Sequence, residues 1–85
     1  MKTFEYVIKD EVGIHARPAG MLVKEAKQYE ETILIECNGK SADVKKLMAL
    51  MALGVKSGDA VKVTVEGEKE AEVAANLQEF FENNL

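Results

Sequence analysis

Apolar side chains recur with a spacing of two in some segments of this 85-residue chain and of three to four in others. This switching constrains the fold more than any other feature, because a spacing of two is typical of a strand with one buried face. The clearest strand is "AVKVTVE", in which valines alternate with other residues; the first strand alternates apart from Val7. "TILIEC" is rich in β-branched residues and precedes Asn38-Gly39, a strong hairpin signal. The predicted strands are Thr3–Lys9, Thr32–Cys37, Lys40–Asp43 and Ala60–Glu66.

The segments between these strands carry the helical spacing. From Ala16, apolar residues follow the i, i+3, i+4, i+7 pattern, which predicts a first helix. "VKKLMALMALG" contains strong helix formers and ends at Gly54, a residue suited to the C′ position. A third helix is predicted over Glu68–Asn83, with Glu side chains near its positive end.

The order βαββαβα predicts an α+β fold in a single domain over residues 1–85. Each strand has one apolar face and each helix one apolar stripe. We therefore expect a four-stranded antiparallel sheet with all three helices on one face and solvent on the other.

Charge and residue counts limit the function. The net charge is −4 and the pI about 5, which argues against nucleic acid as a partner. Residues 12–27 are nevertheless mainly basic, whereas residues 66–82 carry six Glu and one Lys, so an acidic or phosphorylated partner suits the first region. One Cys and one His complete neither a disulfide nor a zinc site. We expect a cytoplasmic protein with no metal, no cofactor and no membrane insertion.

The stretch "GIHARPA" holds the only His and the only Pro. If a helix starts at Ala16, His15 is its N-cap, and Pro18 lies in the first turn, where a missing N–H has no cost. The free amides of Ala16 and Arg17, the helix dipole and the Arg17 guanidinium would together bind an anion. Positive surroundings disfavour the imidazolium, leaving a ring nitrogen free as a nucleophile. We infer that His15 accepts a phosphoryl group.

Other interpretations of these residues remain open. A single exposed His before a helix is common, and its spacing alone is a weak signal. The order of elements βαββαβ also occurs in RNA-binding modules that stack bases on sheet aromatics. Here Phe4 and Tyr6 lie on the predicted inner face, and the charge is unfavourable for RNA. An enzyme with its own substrate pocket is disfavoured, since no second base or nucleophile lies near His15 in the sequence.

"GIHARPA", "VKEAK", "NGKSA" and "KKLMALMALGVKSGDAVKV" together resemble the HPr family, the histidine-containing phosphocarriers of the bacterial phosphoenolpyruvate-dependent sugar phosphotransferase system. The resemblance covers nearly the whole chain and implies an open-faced β-sandwich with strand order 1-4-2-3. It implies that phospho-enzyme I phosphorylates His15 on Nδ1, and that His15 passes the group to the IIA domain of a sugar permease. The implied phosphate-binding residues are Ala16, Arg17 and Pro18, with Arg17 as the side-chain contact.

The resemblance also implies a partner surface on a monomeric carrier that is not itself an enzyme. Of the seven consecutive apolar residues in "LMALMAL", we expect Leu50 and Leu53 in the core and Met48 and Met51 at the surface, where thioethers adapt to several partners. Lys45 and Lys46 would either complement acidic partner rims or stay solvated. The partner-binding residues assigned in this way are Gly20, Lys24, Lys27, Lys46, Leu47, Met48 and Met51.

The sequence departs from the family at three positions. Lys46 stands where many relatives carry a regulatory Ser, so serine phosphorylation before the second helix is not expected, and Ser41 lies in a predicted strand. Val12 replaces a frequent small polar residue. Gly20 replaces Ala, Ser or Thr, which weakens the first helix unless packing or docking needs the space.

Overall fold

The computed structural model describes residues 1–11, 13–14 and 16–85. Its four strands are β1 (Lys2–Val7), β2 (Thr32–Cys37), β3 (Lys40–Asp43) and β4 (Ala60–Glu66). They form one sheet in the order β1-β4-β2-β3, and every neighbouring pair is antiparallel. The sheet and its strand order confirm the fold expected from the sequence.

The three helices are α1 (Ala16–Ala26), α2 (Leu47–Ala52) and α3 (Glu70–Asn84). They pack on one face of the sheet, where alternate residues of β2 and β4 are buried. Phe4 and Tyr6 of β1 each meet Phe81 of α3 edge-on, with ring centroids 5.6 Å apart. The remaining sheet face is largely polar and exposed, as the alternation predicts.

The first strand ends earlier than predicted. Residues as far as Lys9 continue the alternation, but the ladder with β4 stops at Val7. The amide of Ile8 donates to the Asp59 carbonyl at 2.9 Å, and the amide of Lys9 turns to the Leu85 carbonyl at 2.7 Å. Backbone partners outside the sheet therefore end the strand, although Ile8 remains buried.

The second helix is shorter than the predicted segment beginning at Val44. The Val44 amide donates to the Ile33 carbonyl at 3.0 Å, which keeps this residue with the sheet. Asp43 then accepts two hydrogen bonds. The Lys45 amide donates to its side-chain carboxylate, and the Lys46 amide donates to its backbone carbonyl. The resulting turn delays the helix until Leu47. Its end is as predicted, with Gly54 at φ +64° after the C-cap residue.

The third helix begins at Glu70, two residues after the predicted start. Lys69 occupies the N-cap position, and its amide donates to Glu31 Oε2 at 3.0 Å. A carboxylate from a distant loop thus serves an N-terminal amide that the helix cannot satisfy itself. The predicted apolar stripe is confirmed, because Val73, Leu77 and Phe81 are all buried.

Candidate functional site

A tightly held loop leads into the first turn of α1. The Ile14 amide donates to the Val55 carbonyl at 3.1 Å, and the Gly13 amide donates to the Asp10 carbonyl at 3.0 Å. Gly13 has φ +76°, and a Cβ atom built there would lie 2.4 Å from the Val55 oxygen and 2.7 Å from Lys56 Cα. Only glycine fits this close approach of two backbones.

The same loop is fixed at its other end by the C-terminal residue of the structure. The Leu85 carbonyl accepts from the amides of Lys9 and Asp10 at 2.7 and 2.9 Å. Leu85 is itself buried, and its amide donates to the Phe81 carbonyl at 2.8 Å. The backbone before residue 15 is therefore attached to α3 and to the segment that precedes β4.

Position 15 itself lies outside the described residues, as does position 12. The predicted phosphoryl acceptor His15 and the substitution at Val12 therefore remain sequence predictions. What the structure describes is the environment on both sides of His15, namely the loop through Ile14 and the helix from Ala16 onward.

The first turn of α1 contains the three residues predicted to bind phosphate. Ala16 and Arg17 are exposed, while Pro18 is buried. Pro18 has no N–H to donate, so its contribution is a fixed φ angle and packing, whereas the amides of Ala16 and Arg17 have no acceptor within the helix. The first turn holds no acidic residue, and among the described residues no carboxylate forms an ion pair with Arg17.

Gly20 and Lys24 share a face of α1 with Arg17, and Lys27 lies in the turn that follows the helix. Gly20 and Lys24 follow Arg17 at intervals of three and four residues along the chain, the spacing that places side chains side by side. Lys24 and Lys27 are exposed, and Gly20 is partly buried. A Cβ atom built on Gly20 meets no atom within 4 Å, so packing within the described structure does not require glycine there.

Helix α2 packs against α1 and presents the apolar part of the predicted surface. Met48 is 78% exposed, and Leu47 and Met51 are exposed to 39% and 37%. Leu50 and Leu53 are buried in the core. The predicted division of "LMALMAL" between core and surface is therefore confirmed.

The sequence analysis missed Met21. This residue is 41% exposed and lies four positions after Arg17 and three before Lys24, on the same helical face. The spacing alone could have identified it. We call the exposed apolar residues Met21, Leu47, Met48 and Met51 the apolar patch.

The expectation for Lys45 is wrong. Its ammonium group neither stays solvated nor is free to meet a partner, because it donates to the carbonyls of Tyr29 and Glu31 at 2.6 and 2.7 Å. Lys46, by contrast, is exposed at the N-cap of α2. Only the second of the two adjacent lysines faces solvent as predicted.

Acidic side chains are frequent at the start of α3. Glu70 and Glu72 stand in the first turn of α3, and Glu70 pairs with the amino group of Met1. Hydrogen bonding to this amino group and to the Gly67 amide lowers the pKa of Glu70. A concave region of about 370 Å³ lies between the end of α1 and the start of α3, and four of its eight lining residues are Glu. It lies away from Arg17.

The described residues also limit other kinds of chemistry. Among them, no cluster of three or more His, Cys, Asp and Glu side chains could hold a metal ion. In the same part of the chain, no helix is long and apolar enough to cross a membrane.

The sheet order, with all three helices on one face, defines an open-faced β-sandwich, and Arg17 is exposed in the first turn of α1. A family profile described as the PTS HPr component phosphorylation site matches residues 2–83. Phosphocarrier protein HPr from Mycoplasma genitalium is 38% identical over 85 residues, which cover 99% of this chain and 97% of that protein. The chain belongs to the HPr family of phosphocarriers of the phosphotransferase system.

Solved structures agree with this assignment. HPr-C-His from Thermoanaerobacter tengcongensis has a TM-score of 0.93 at 36% identity, covering 99% of this chain and 94% of the other. HPr from Bacillus anthracis has a TM-score of 0.84 at 30% identity, covering 89% and 90%. The Bacillus subtilis catabolite repression protein Crh, a dimer formed by swapping, has a TM-score of 0.77 at 30% identity, covering 94% and 92%.

Proposed function

We propose that this chain is a cytoplasmic phosphocarrier that accepts a phosphoryl group from phospho-enzyme I and donates it to the IIA domain of a sugar permease. His15 is the acceptor, through Nδ1. It acts as a transiently modified carrier, not as an enzyme. The observation that carries the proposal is the exposed start of α1, where Arg17 has no carboxylate partner among the described residues, directly after a fixed backbone loop.

The transfer needs only the chemistry that surrounds position 15. The neutral ring nitrogen of His15 forms a bond to phosphorus as the bond between phosphorus and the donor group breaks. On discharge the N–P bond breaks and its electron pair returns to the ring, while the acceptor on the IIA domain takes the phosphoryl group. Arg17 and the amides of Ala16 and Arg17 stabilise the charge on the phosphoryl oxygens in both steps.

The strength of these interactions suits a carrier. A helix dipole stabilises an exposed anion by about 0.3–1 kcal/mol. Hydrogen bonds to a charged group add about 1.5–3 kcal/mol each. Such a site steadies phosphohistidine but leaves the group transferable, whereas a catalyst must bind its transition state much more tightly than its ground state.

Docking is proposed to use the apolar patch together with the exposed cations of α1 and Lys46. The patch supplies adaptable apolar contact, since three of its four members are methionines. Lys24, Lys27 and Lys46 are exposed, and their positive charge would favour acidic partner surfaces. The arrangement brings the two partners to the residue that exchanges the phosphoryl group.

The proposal is tested by incubating the protein with enzyme I and phosphoenolpyruvate and then measuring its intact mass. We expect one acid-labile phosphoryl group, absent in His15→Ala and slower to form or to discharge in Arg17→Ala. Lys62→Ala, on the exposed sheet face, is the matched control and keeps the normal rate. An unlabelled chain, or label that persists in His15→Ala, would refute the proposal.

The similarity to Crh supports a second candidate, a regulator whose partners respond to the phosphorylation of His15. The two functions differ in sugar flux. A carrier restores sugar phosphorylation in an extract depleted of HPr, whereas a regulator is labelled but restores nothing. Because Crh forms a swapped dimer, sedimentation of this chain with and without the phosphoryl group also tests the expectation that it is a monomer.

A further inference from the structure

We propose that Lys45 is a positioning residue that fixes α2 against the end of α1. It thereby holds the residues of the docking surface on α2 in a constant position relative to those on α1. This inference rests on the docking role proposed for that surface. It goes beyond that role because Lys45 itself is not part of the exposed face. Its ammonium group points into the protein and contacts the backbone that follows α1.

Helix α2 cannot define its own position. It has six residues, and its N-cap residue Lys46 provides no side-chain hydrogen bond. Isolated helices shorter than about 12–15 residues are marginal in water, so tertiary contacts must hold such an element. Buried Leu50 and Leu53 anchor its inner face and its last turn, which leaves its first turn to be fixed by other means.

Lys45 supplies this second anchor. Its ammonium group donates to the Tyr29 carbonyl at 2.6 Å and to the Glu31 carbonyl at 2.7 Å. Its amide donates to Asp43 Oδ1 at 2.9 Å, which fixes the backbone one residue before the N-cap. A single residue thus joins the turn that starts α2 to the loop that ends α1.

The loop that receives Lys45 is itself rigidly attached. The Tyr29 hydroxyl donates to Glu25 Oε2 at 2.9 Å, on the last turn of α1. Glu31 is 9% exposed and accepts from the Lys69 amide at the start of α3. A displacement of α2 relative to α1 therefore requires these bonds to break, and Lys45 transmits the position of one helix to the other.

The test compares Lys45→Met, which keeps the aliphatic stem but loses every donor, with Lys45→Arg, which keeps a cationic donor. Lys40→Met, on exposed β3, is the matched control. Phosphorylation by phospho-enzyme I is measured against carrier concentration, at a temperature where every variant is fully folded. We expect Lys45→Met to raise KM roughly three- to tenfold with kcat within about twofold. Lys45→Arg and Lys40→Met should keep the original KM.

Amide hydrogen exchange of the free protein provides a readout that does not depend on phosphoryl transfer. The Leu50 amide donates to the Lys46 carbonyl at 3.0 Å and reports the first turn of α2. Its exchange should accelerate about tenfold or more in Lys45→Met, while the Val63 amide in β4 stays protected. If the native chain takes no label, the proposed function fails and the exchange result alone decides the role of Lys45. Unchanged exchange at Leu50, or a fall in kcat at constant KM, would overturn the inference.

Discussion

Replacement of Gly13 by alanine should have two energetic costs, a strained backbone conformation and a steric overlap. Gly13 has φ +76°, a conformation that costs a residue with a Cβ atom about 1–2 kcal/mol. The new Cβ would also lie 2.4 Å from the Val55 oxygen and 2.7 Å from Lys56 Cα. Both neighbours are backbone atoms, so the overlap can be relieved only by moving the loop.

Moving the loop breaks the bonds that hold it. The hydrogen bonds from the Gly13 amide to the Asp10 carbonyl and from the Ile14 amide to the Val55 carbonyl each contribute about 0.5–1.5 kcal/mol. Together with the strained φ angle, Gly13→Ala should lower the free energy of unfolding by about 2–5 kcal/mol. The labelling rate of His15 should fall as well, because the displaced loop leads directly to it.

Gly58→Ala is the matched control for this change. Gly58 has φ +88°, but a Cβ atom there meets no atom within 4 Å. It should therefore show only the conformational cost, about 1–2 kcal/mol, and keep normal labelling. Urea unfolding with an unchanged m value measures both variants. The reasoning is refuted if Gly13→Ala is no less stable than Gly58→Ala, or if it is labelled at the native rate while folded.

Five further substitutions test other parts of the structure. The Tyr6 hydroxyl is buried and has no hydrogen-bond partner among the described residues, so Tyr6→Phe should raise the free energy of unfolding by about 1 kcal/mol, seen as a higher thermal midpoint. Gly20→Ala should add about 0.5–1 kcal/mol in urea unfolding, because the added methyl meets open space; a loss of stability would reveal a clash. Leu50→Ala should lower the free energy of unfolding by about 2–5 kcal/mol, because Leu50 is buried. Met48→Ala should change it by under about 0.5 kcal/mol and instead raise the KM for enzyme I, because Met48 is exposed. Equal losses of stability would contradict the assignment of Leu50 to the core and Met48 to the surface. Burial and the nearby Asp59 carboxylate raise the pKa of the Cys37 thiol above its unfolded value. The thiol's contribution to stability is therefore complete below the unfolded pKa and is lost as the pH rises through the folded pKa. Above about pH 8.5, the free energy of unfolding should fall with pH for the native chain and change less for Cys37→Ala.

The strands could be predicted because each carries its own signal. In β4 the valines at 61, 63 and 65 alternate without interruption, and this pattern depends on no distant residue. The ends of elements depend on distant residues and were less accurate. Val7 ends β1 because the next amides turn to Asp59 and Leu85, residues more than 50 positions away in the sequence.

The same distinction applies to the candidate site. An excess of apolar residues on one short helix predicts that Met48 and Met51 are exposed, because a single stripe cannot bury all of them. The inward direction of Lys45 could not be predicted in this way. Its two acceptors are backbone carbonyls, and a carbonyl is present at every position, so no residue type marks the one that will be used.

The described parts of the site depend on two kinds of interaction, backbone hydrogen bonds in the loop and side-chain contacts in the apolar patch. The two kinds respond differently to substitution. The loop before position 15 is held by amides and carbonyls, as in the bonds from Lys9 to Leu85 and from Ile14 to Val55, which survive most side-chain substitutions. The apolar patch consists only of side chains, and Met48 is too exposed for its replacement to affect the core. If the patch binds partners as proposed, substitutions in it can alter the choice of partner while the backbone hydrogen bonds of the loop before position 15 stay the same. Gly13 is the exception among the loop residues, since there the backbone contact itself excludes every other side chain.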